Sequence, residues 1–116
     1  MDQLRQSVST EIQSGRIGDP VFLRCFYQIS KSSLLVDAVA TVTNLADSWI
    51  TSQIEYTHTQ QDDCQITILL QFVDGESALL CVNQLDQESM IDFHLIGSRG
   101  TIYYQARIPL EDADVK

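Results

Sequence analysis

The sequence has little of what marks disordered, secreted or membrane-spanning chains. Five glycines and two prolines in 116 residues exclude collagen-like and low-complexity chains, which are rich in both. The three cysteines, Cys25, Cys64 and Cys81, form no C-x-x-C pair and leave one over in any disulfide scheme. Because we also expect no signal peptide, these features predict a reducing, cytoplasmic setting. No apolar run approaches the ~20 residues that a membrane-spanning helix needs.

Basic residues are also scarce. Seven Lys and Arg stand against sixteen Asp and Glu, which gives a net charge of −9. That charge repels phosphate backbones and anionic lipids, so we expect neither nucleic acid nor a membrane surface as a partner. The sequence has no G-x-G-x-x-G motif to hold a pyrophosphate, and we therefore predict no dinucleotide cofactor.

The chain has enough apolar residues for one folded domain. Hydrophobic residues make up 44% of the sequence, and a chain of this length buries about two-thirds of its unfolded surface. We therefore treat 1–116 as a single domain. Its last residues, 107–116, are rich in acidic side chains, and we expect this tail to be frayed.

Two segments have the apolar periodicity of helices. Met1, Leu4, Val8 and Ile12 recur at spacings of three and four, and Gly15 supplies a stop signal. The segment 33–50 repeats apolar residues with a helical period up to Trp49 and predicts the main core helix. Ser32 or Ser33 is expected to cap it.

The remaining segments predict strands. The run 21–28, VFLRCFYQ, is apolar almost throughout and predicts a buried strand. Strands are also expected at 53–58, 64–73, 76–84, 89–96 and 101–107. The dipeptide Asp74-Gly75 predicts a two-residue hairpin turn. That turn would place Leu80 and Val82 on the same face as Leu69.

The fold class expected from this order is α+β. The elements follow as α-β-α-β-β-β-β-β, the last strands form a meander, and about six mostly antiparallel strands make an open sheet with two helices on one face. The uncovered face would expose a large apolar patch, which predicts a homodimer packed through it. The predicted interface residues on this face are Asp92, His94, Ile96, Tyr103, Gln105, Leu69, Leu80 and Val82.

Four segments together resemble the second, C-terminal domain of the glucose–fructose oxidoreductase/inositol dehydrogenase/MocA family. They are LRQSVSTEIQSGRIGDPVFLRCFY, LLVDAVATVTNLADSWI, DDCQITILLQFVDGESALLCVNQ and IDFHLIGSRGTIYY. They follow the family's order over residues 3–105, where the family has a helix–strand entry, a core helix, a central hairpin and a last hairpin.

The resemblance implies a second domain without its Rossmann partner domain. The family's core helix usually carries Asp-x-x-x-His-x-x-Asp, whose His transfers a proton. Here Asp37 matches the first position, but Thr41 and Asn44 stand at the others. Neither is an acid or base near neutral pH, so we predict no catalytic residue. The resemblance implies that a concavity near Asp37, Thr41, Asn44 and Tyr27 holds a small sugar or polyol.

Other candidate sites have simpler structural explanations. His58 and His94 could build a metal site with Cys64 or Asp92, but they lack ligand spacing, and we expect no metal. The cysteines are expected to be small core residues rather than nucleophiles. The pair Asp62-Asp63 is interpreted as an acidic loop.

Three functional hypotheses follow. In the first, the chain is a stand-alone, non-catalytic module that dimerises and has an interaction, ligand-binding or regulatory role. In the second, it is the substrate-domain half of a split or truncated NAD(P)-dependent sugar or polyol dehydrogenase, which needs a separate Rossmann-domain protein. In the third, it is an excised domain whose only property is folding.

Overall fold

The order of elements predicted from the sequence is confirmed. A computed structural model describes residues 2–107. Its elements are α1 (Asp2–Gln13), β1 (Pro20–Ser30), α2 (Leu35–Trp49), β2 (Ile54–Gln61), β3 (Gln65–Phe72), β4 (Ser77–Leu85), β5 (Met90–Gly97) and β6 (Thr101–Arg107). The fold is α+β with an open sheet, as expected. The predicted acidic tail lies outside the described residues except for Arg107, where β6 ends.

Both helices bury one apolar stripe. In α1 the buried residues are Leu4 and Val8, as the spacing predicts, and Met1 lies outside the described residues. The predicted serine cap of α2 is wrong, because the N-cap residue is Leu34 and no side chain caps the helix. The stability of α2 therefore comes from packing of its apolar face rather than from its first turn.

The helices lie on the same face of the sheet. Trp49, near the end of α2, has its ring centroid 4.9 Å from that of Phe93 on β5. Its indole Nε1 donates a hydrogen bond of 3.2 Å to the Arg5 carbonyl of α1. The smallest dimension of the molecule is 17 Å, as expected for one sheet and one helical layer about 10 Å apart.

The strands do not form the predicted meander. Their order is β2-β3-β4-β1-β5-β6, so β1 lies between β4 and β5, parallel to β4 and antiparallel to β5. The prediction missed this because successive strands usually pair. The nearly continuous apolar sequence of β1 explains its central place, where a strand has neighbours on both edges.

The register of the last hairpin is confirmed. β5 pairs with β6 so that Phe93 lies opposite Tyr104 and His94 opposite Tyr103. The Gly97 amide donates a hydrogen bond of 2.8 Å to the Gly100 carbonyl and closes the turn. Ile91, Phe93 and Leu95 are buried on the helical side, whereas Asp92, His94 and Ile96 point to the other side.

The turn of this hairpin packs on the loop that follows α1. The Arg99 amide donates to the Ile17 carbonyl at 2.7 Å, and the Ser98 amide donates to the Asp19 carbonyl at 2.9 Å. A Cβ atom at Gly97 would collide with the Ile17 carbonyl oxygen, so only glycine permits this approach. The contact gives a structural reason for glycine at position 97.

The register predicted for the β3–β4 hairpin is wrong by one residue. The turn has three residues rather than two, because the Phe72 amide donates to the Glu76 carbonyl and Gly75 adopts a φ of +99°. Three-residue hairpins with a left-handed glycine are the next most common type after two-residue turns. Leu70 therefore pairs with Ala78 and Ile68 with Leu80.

This slip reverses the faces of β4. Because side chains alternate along a strand, moving the register by one residue exchanges the two sides. Leu80 and Val82 are fully buried under the helices, so their predicted place on the open face is wrong. Leu79 and Cys81 lie on the open face instead, paired with Leu69 and Thr67.

The edge strand β2 is more exposed than the other strands. Every residue of β2 is exposed, and it pairs only with β3 in the sheet order. Polar side chains on an edge strand help to protect a sheet from adding further strands. Within residues 2–107, no helix has both the length and the apolar content to cross a bilayer.

Candidate functional site

A shallow concavity lies where α2 begins over the carboxyl end of β1. Its volume is about 320 Å³. The lining residues are Tyr27, Ile29, Ser32, Ser33, Leu34, Asp37, Ala38 and Thr41. The structure thus brings together three of the four residues predicted for a ligand site. Asn44 is not among the lining residues and is exposed on α2.

Local hydrogen bonds shape the polar wall of this concavity. The Ser30 and Ser32 hydroxyls lie 2.8 Å apart. The Gln84 side-chain amide donates a 2.8 Å hydrogen bond to the Ser33 carbonyl and ties the loop before α2 to β4. Sequence reasoning treated Ser32 and Ser33 only as helix caps. Their position directly before a helix that carries Asp37 was the available signal for a polar site.

Thr41 occupies the position at which the resemblance would place a proton-transferring histidine. Its hydroxyl Oγ1 donates a 3.0 Å hydrogen bond to the Asp37 carbonyl, one helical turn earlier. This local bond engages the hydroxyl proton within the helix. The oxygen retains lone pairs that can accept a hydrogen bond from a ligand. The group can therefore hold a ligand but has no acid–base role near neutral pH.

The rim of the concavity is unusually apolar for a helix surface. Leu34 is 64% exposed and Val36 is 69% exposed, and Asp37 follows directly in the first turn of α2. Single exposed apolar residues are normal on protein surfaces. The exposed Leu34 and Val36 side chains beside the polar concavity form an apolar surface to which another protein could bind.

The second candidate site is the open face of the sheet, defined as the side away from the helices. The strand registers align its side chains in rows across the sheet. One row contains His58, Leu69, Leu79, Arg24, His94 and Tyr103. The next contains Gln60, Thr67, Cys81, Phe26, Asp92 and Gln105. Both rows mix apolar, aromatic and polar residues.

Six of the eight predicted interface residues lie on the open face. They are Asp92, His94, Ile96, Tyr103, Gln105 and Leu69. Leu80 and Val82 do not, because of the register slip described above. Whether any of these residues contacts a second copy stays a prediction.

The open face carries few charges for so acidic a chain. Among the paired strand residues that the structure describes, Asp92 is its only carboxylate. The Tyr103 hydroxyl donates a 3.0 Å hydrogen bond to Asp92 Oδ2. That hydrogen bond, more than desolvation or the carboxylate charge, raises the pKa of Tyr103 above its ordinary value of 10.0. The His94 and Tyr103 rings meet edge to face at 5.9 Å.

Two residues on the open side of the central strand were missed by sequence reasoning. The guanidinium carbon of Arg24 lies 5.3 Å from the Phe26 ring centroid, within the range of a cation–π interaction. Phe26 is 39% exposed. The signal was present in the alternation of β1, since Arg24 and Phe26 are two residues apart and must share a face.

The open face also has a depression of about 260 Å³. Its lining residues are Phe26, Gln28, Gln65, Cys81, Asn83, Met90 and Asp92. The Thr67 hydroxyl and Cys81 Sγ are 3.8 Å apart. Amide, thiol and thioether groups of this kind can adapt to a neighbouring protein surface.

The remaining candidate residues do not assemble into a reactive centre. His58 and His94 lie on β2 and β5, with β3, β4 and β1 between them. Within residues 2–107, no group of three or more His, Cys, Asp and Glu side chains is arranged to hold a metal ion. All three cysteines are free; Cys25 and Cys81 are buried as expected, but Cys64 is exposed, so its predicted place in the core is wrong. Burial, with smaller effects of Asp92 and Cys81, raises the pKa of the Cys25 thiol to about 12, so it is a poor nucleophile.

Comparisons with known proteins bear on the fold. Neither a protein family model nor a curated protein sequence matches this chain significantly. Among solved structures, apo scyllo-inositol dehydrogenase from Lactobacillus casei matches with a TM-score of 0.73 and 11% identity, over 86% of this chain and 36% of its own. A myo-inositol dehydrogenase from Corynebacterium glutamicum matches with a TM-score of 0.71 and 11% identity, over 86% and 37%.

A third match is the Lactobacillus casei enzyme with bound NAD(H) and scyllo-inositol, with a TM-score of 0.64 and 12% identity over 86% of this chain and 38% of its own. The chain thus spans well under half the length of the dehydrogenases it matches. The resemblance inferred from the sequence motifs is confirmed at the level of fold: this chain has the fold of one part of the inositol dehydrogenases.

Proposed function

We propose that this chain is a non-catalytic module that forms a homodimer through the open face and has an interaction, ligand-binding or regulatory role. One observation carries the proposal. The open face has no described element over it, and its paired strand residues within 2–107 combine Phe, Tyr, Met and Arg with a single carboxylate. The cores of protein interfaces are enriched in these residue types and depleted in carboxylates.

The size of the sheet supports this use. The two longer dimensions of the molecule are 37 and 33 Å. A standard interface buries about 800 Å² on each partner, which a face of this extent can supply. The net charge of −9 disfavours association through most other surfaces, since like charges repel.

The ligand proposed for the concavity is a small sugar or polyol. Ser32, Asp37 and Thr41 line it with two hydroxyls and a carboxylate, which are suitable partners for a ligand with many hydroxyl groups. The fold it shares with a dehydrogenase that binds scyllo-inositol favours the same ligand class. Thr41 and Asn44, in place of acid–base residues, favour binding without turnover. We place the protein in the cytoplasm because its three cysteines are free.

Light scattering after size-exclusion chromatography tests the dimer. We expect twice the mass of the 13.1 kDa chain at micromolar concentration. A matched pair of variants localises the contact: Leu79→Asp on the open face should shift the protein toward monomer, and Thr57→Asp, on the other side of the exposed strand β2, should not. A wild-type monomer at this concentration would remove the proposal.

A thermal-shift screen of sugars and polyols, followed by calorimetry, tests the ligand. A compound that binds should raise the melting temperature in a concentration-dependent way. Asp37→Ala should weaken its binding about tenfold, the loss expected for one charge-assisted hydrogen bond. Asp47→Ala, an exposed carboxylate elsewhere on α2, is the control. If no compound stabilises the protein, or if both variants weaken binding equally, the concavity is not the site.

The second candidate function is the substrate-domain half of a split sugar or polyol dehydrogenase. The exposed Leu34 and Val36 beside the concavity favour it, because the resemblance implies that this side faces a cofactor domain. In this case a separate Rossmann-domain protein would cover both residues and supply the dinucleotide.

The two functions are distinguished by adding a purified Rossmann-domain protein encoded next to this chain. The split enzyme predicts co-elution and NAD(P)-dependent oxidation of a polyol by the mixture. Leu34→Asp should abolish both results, whereas Leu85→Asp, at the end of β4, should abolish neither. A mixture with no complex and no turnover favours the first function.

A further inference from the structure

The middle of the open face is occupied by two residues of β1. The sheet order places β4 and β1 third and fourth of six strands. Arg24 and Phe26 lie near the middle of the eleven-residue strand β1. Across the sheet, Arg24 is flanked by Leu79 and His94. These positions coincide with the geometric centre of the face, where residues that dominate binding energies cluster.

The chemistry at this centre is that of an interface anchor. The Arg24 guanidinium lies over the Phe26 ring, and this stacking holds both side chains in place before a partner arrives. Among the described residues Arg24 makes no salt bridge, unlike Arg5, Arg16 and Arg107. Its charge is therefore available to a partner of opposite sign.

The same face supplies that opposite charge. Asp92 lines the depression beside Phe26 and is paired with it across the β1–β5 ladder. Its Oδ2 accepts the Tyr103 hydroxyl, which leaves Oδ1 able to accept another donor. Because a two-fold interface repeats every contact, one positive and one negative residue near the axis produce two ion pairs.

We propose that self-association is anchored at the centre of the open face, where Phe26 of each copy packs against the other copy and the Arg24 guanidinium pairs with Asp92 of the partner subunit. This inference rests on the homodimer of the proposed function. The partner that covers the open face is a second copy of this chain. The charge complementarity between Arg24 and Asp92 also orients the two copies, because displaced or rotated packings would leave both charges unpaired.

Charge-reversal variants test the ion pair by complementation. Arg24→Glu places two carboxylates at each contact of its homodimer, and Asp92→Arg places two guanidinium groups there. Each variant alone should dimerise at least about a hundredfold more weakly than the wild type. Mixed in equal amounts, they should form a heterodimer, because each contact then joins opposite charges. Sedimentation velocity with one variant fluorescently labelled measures this, and circular dichroism confirms that both fold.

Matched controls separate the centre of the face from its edge. Phe26→Ala should weaken dimerisation at least about tenfold, as expected for a buried aromatic anchor. Tyr56→Ala removes an exposed aromatic residue from the edge strand, and Arg107→Glu reverses a charge on β6 that pairs with Glu88. Both controls should change the dissociation constant less than about threefold.

The outcomes distinguish the anchor from the dimer itself. Wild-type protein that is monomeric at micromolar concentration overturns the proposed dimer and the anchor with it. A wild-type dimer that tolerates both Arg24→Glu and Phe26→Ala overturns the anchor and leaves the dimer standing. Two weakened variants that fail to form a heterodimer on mixing overturn the pairing of Arg24 with Asp92. Restoration on mixing supports it, since a contact within one copy could not be restored from another.

Discussion

The two faces of the sheet are formed by the same strands but differ in burial, since one packs under the helices and the other is open. On the helical side, Leu23, Cys25, Leu80 and Phe93 are fully buried. On the open side, Arg24, Phe26, Asp92 and His94, which neighbour them along the same strands, are half-buried or exposed, although Cys81 on this side is buried. The helical side stabilises the monomer by removing apolar surface from water. The open side has the composition of an interface, which is the basis of the proposed dimer.

Because side chains alternate between the two faces, neighbouring positions of one strand affect either folding or association. A substitution at one position of a strand should change the free energy of unfolding, and a substitution at the next position should change the dissociation constant of the dimer.

Thiol reactivity should show the largest contrast. Cys64 is exposed, whereas Cys25 lies on the helical side with a pKa near 12. With an aromatic disulfide reagent at pH 8, we expect one thiol to react quickly. Cys25 should react at least about a thousandfold more slowly, because the thiolate is the reactive form. A Cys64→Ser variant identifies the fast thiol. If two thiols per chain react quickly in the folded protein, then Cys25 on β1 or Cys81 on β4 is more accessible than the structure indicates.

Neighbouring leucines of β4 should differ strongly in their effect on stability. Leu80→Ala should lower the free energy of unfolding by about 3 kcal/mol, since it leaves a cavity under the helices. Leu79→Ala, on the open face, should cost less than about 1 kcal/mol. Urea denaturation measures both, at a protein concentration where the variants have the same oligomeric state. If the two substitutions cost the same, or if Leu79→Ala costs more, the three-residue turn is wrong, and the two-residue turn and register predicted from the sequence are favoured.

Trp49 should report on the contact between the helices and the sheet. Trp49→Phe should lower the free energy of unfolding by about 2 kcal/mol, because it removes both ring volume and the hydrogen bond to the Arg5 carbonyl. Tyr56→Phe, on the exposed edge strand, is the matched control and should change stability by less than about 0.5 kcal/mol. Trp49 is the only tryptophan, so its fluorescence follows this region directly. Equal effects of the two variants would contradict the assigned packing.

The smallest effect is expected for the hydrogen bond between Tyr103 and Asp92 on the open face. Since folding raises the pKa of Tyr103, the bond stabilises the protein below the ordinary tyrosine pKa. That contribution disappears as pH rises through the higher pKa of the folded state. Tyr103→Phe should therefore be slightly less stable than the wild type at neutral pH and equal to it above this range. Ultraviolet titration should show one tyrosine ionising late, and Asp92→Ala should abolish the delay.

Much of the fold was predictable from local signals. The helical stripe ending at Trp49 and the strand periods predicted the element order, and Gly97 and Gly100 predicted the register of the last hairpin. Asp74-Gly75 was misleading because the same dipeptide serves two-residue and three-residue turns, and a one-residue difference exchanges the faces of β4. The concavity was predictable in part from the family resemblance, since Tyr27, Asp37 and Thr41 line it. Ser32 and Ser33 were interpreted only as helix caps, although their position before the helix that carries Asp37 was a signal; the path of their loop also depends on Gln84, a distant residue.

Local sequence patterns were sufficient to predict the elements, the amphipathic stripe of each helix and the resemblance to the second domain of the dehydrogenases. These depend on neighbours a few residues apart, and short-range backbone geometry is sufficient to produce them. The insertion of β1 between β4 and β5, and the place of Arg24 and Phe26 at the centre of the open face, became visible only in the folded chain. These features depend on hydrogen bonds between residues more than fifty positions apart, as between Phe26 and its neighbours Cys81 and Asp92, which local sequence patterns do not encode.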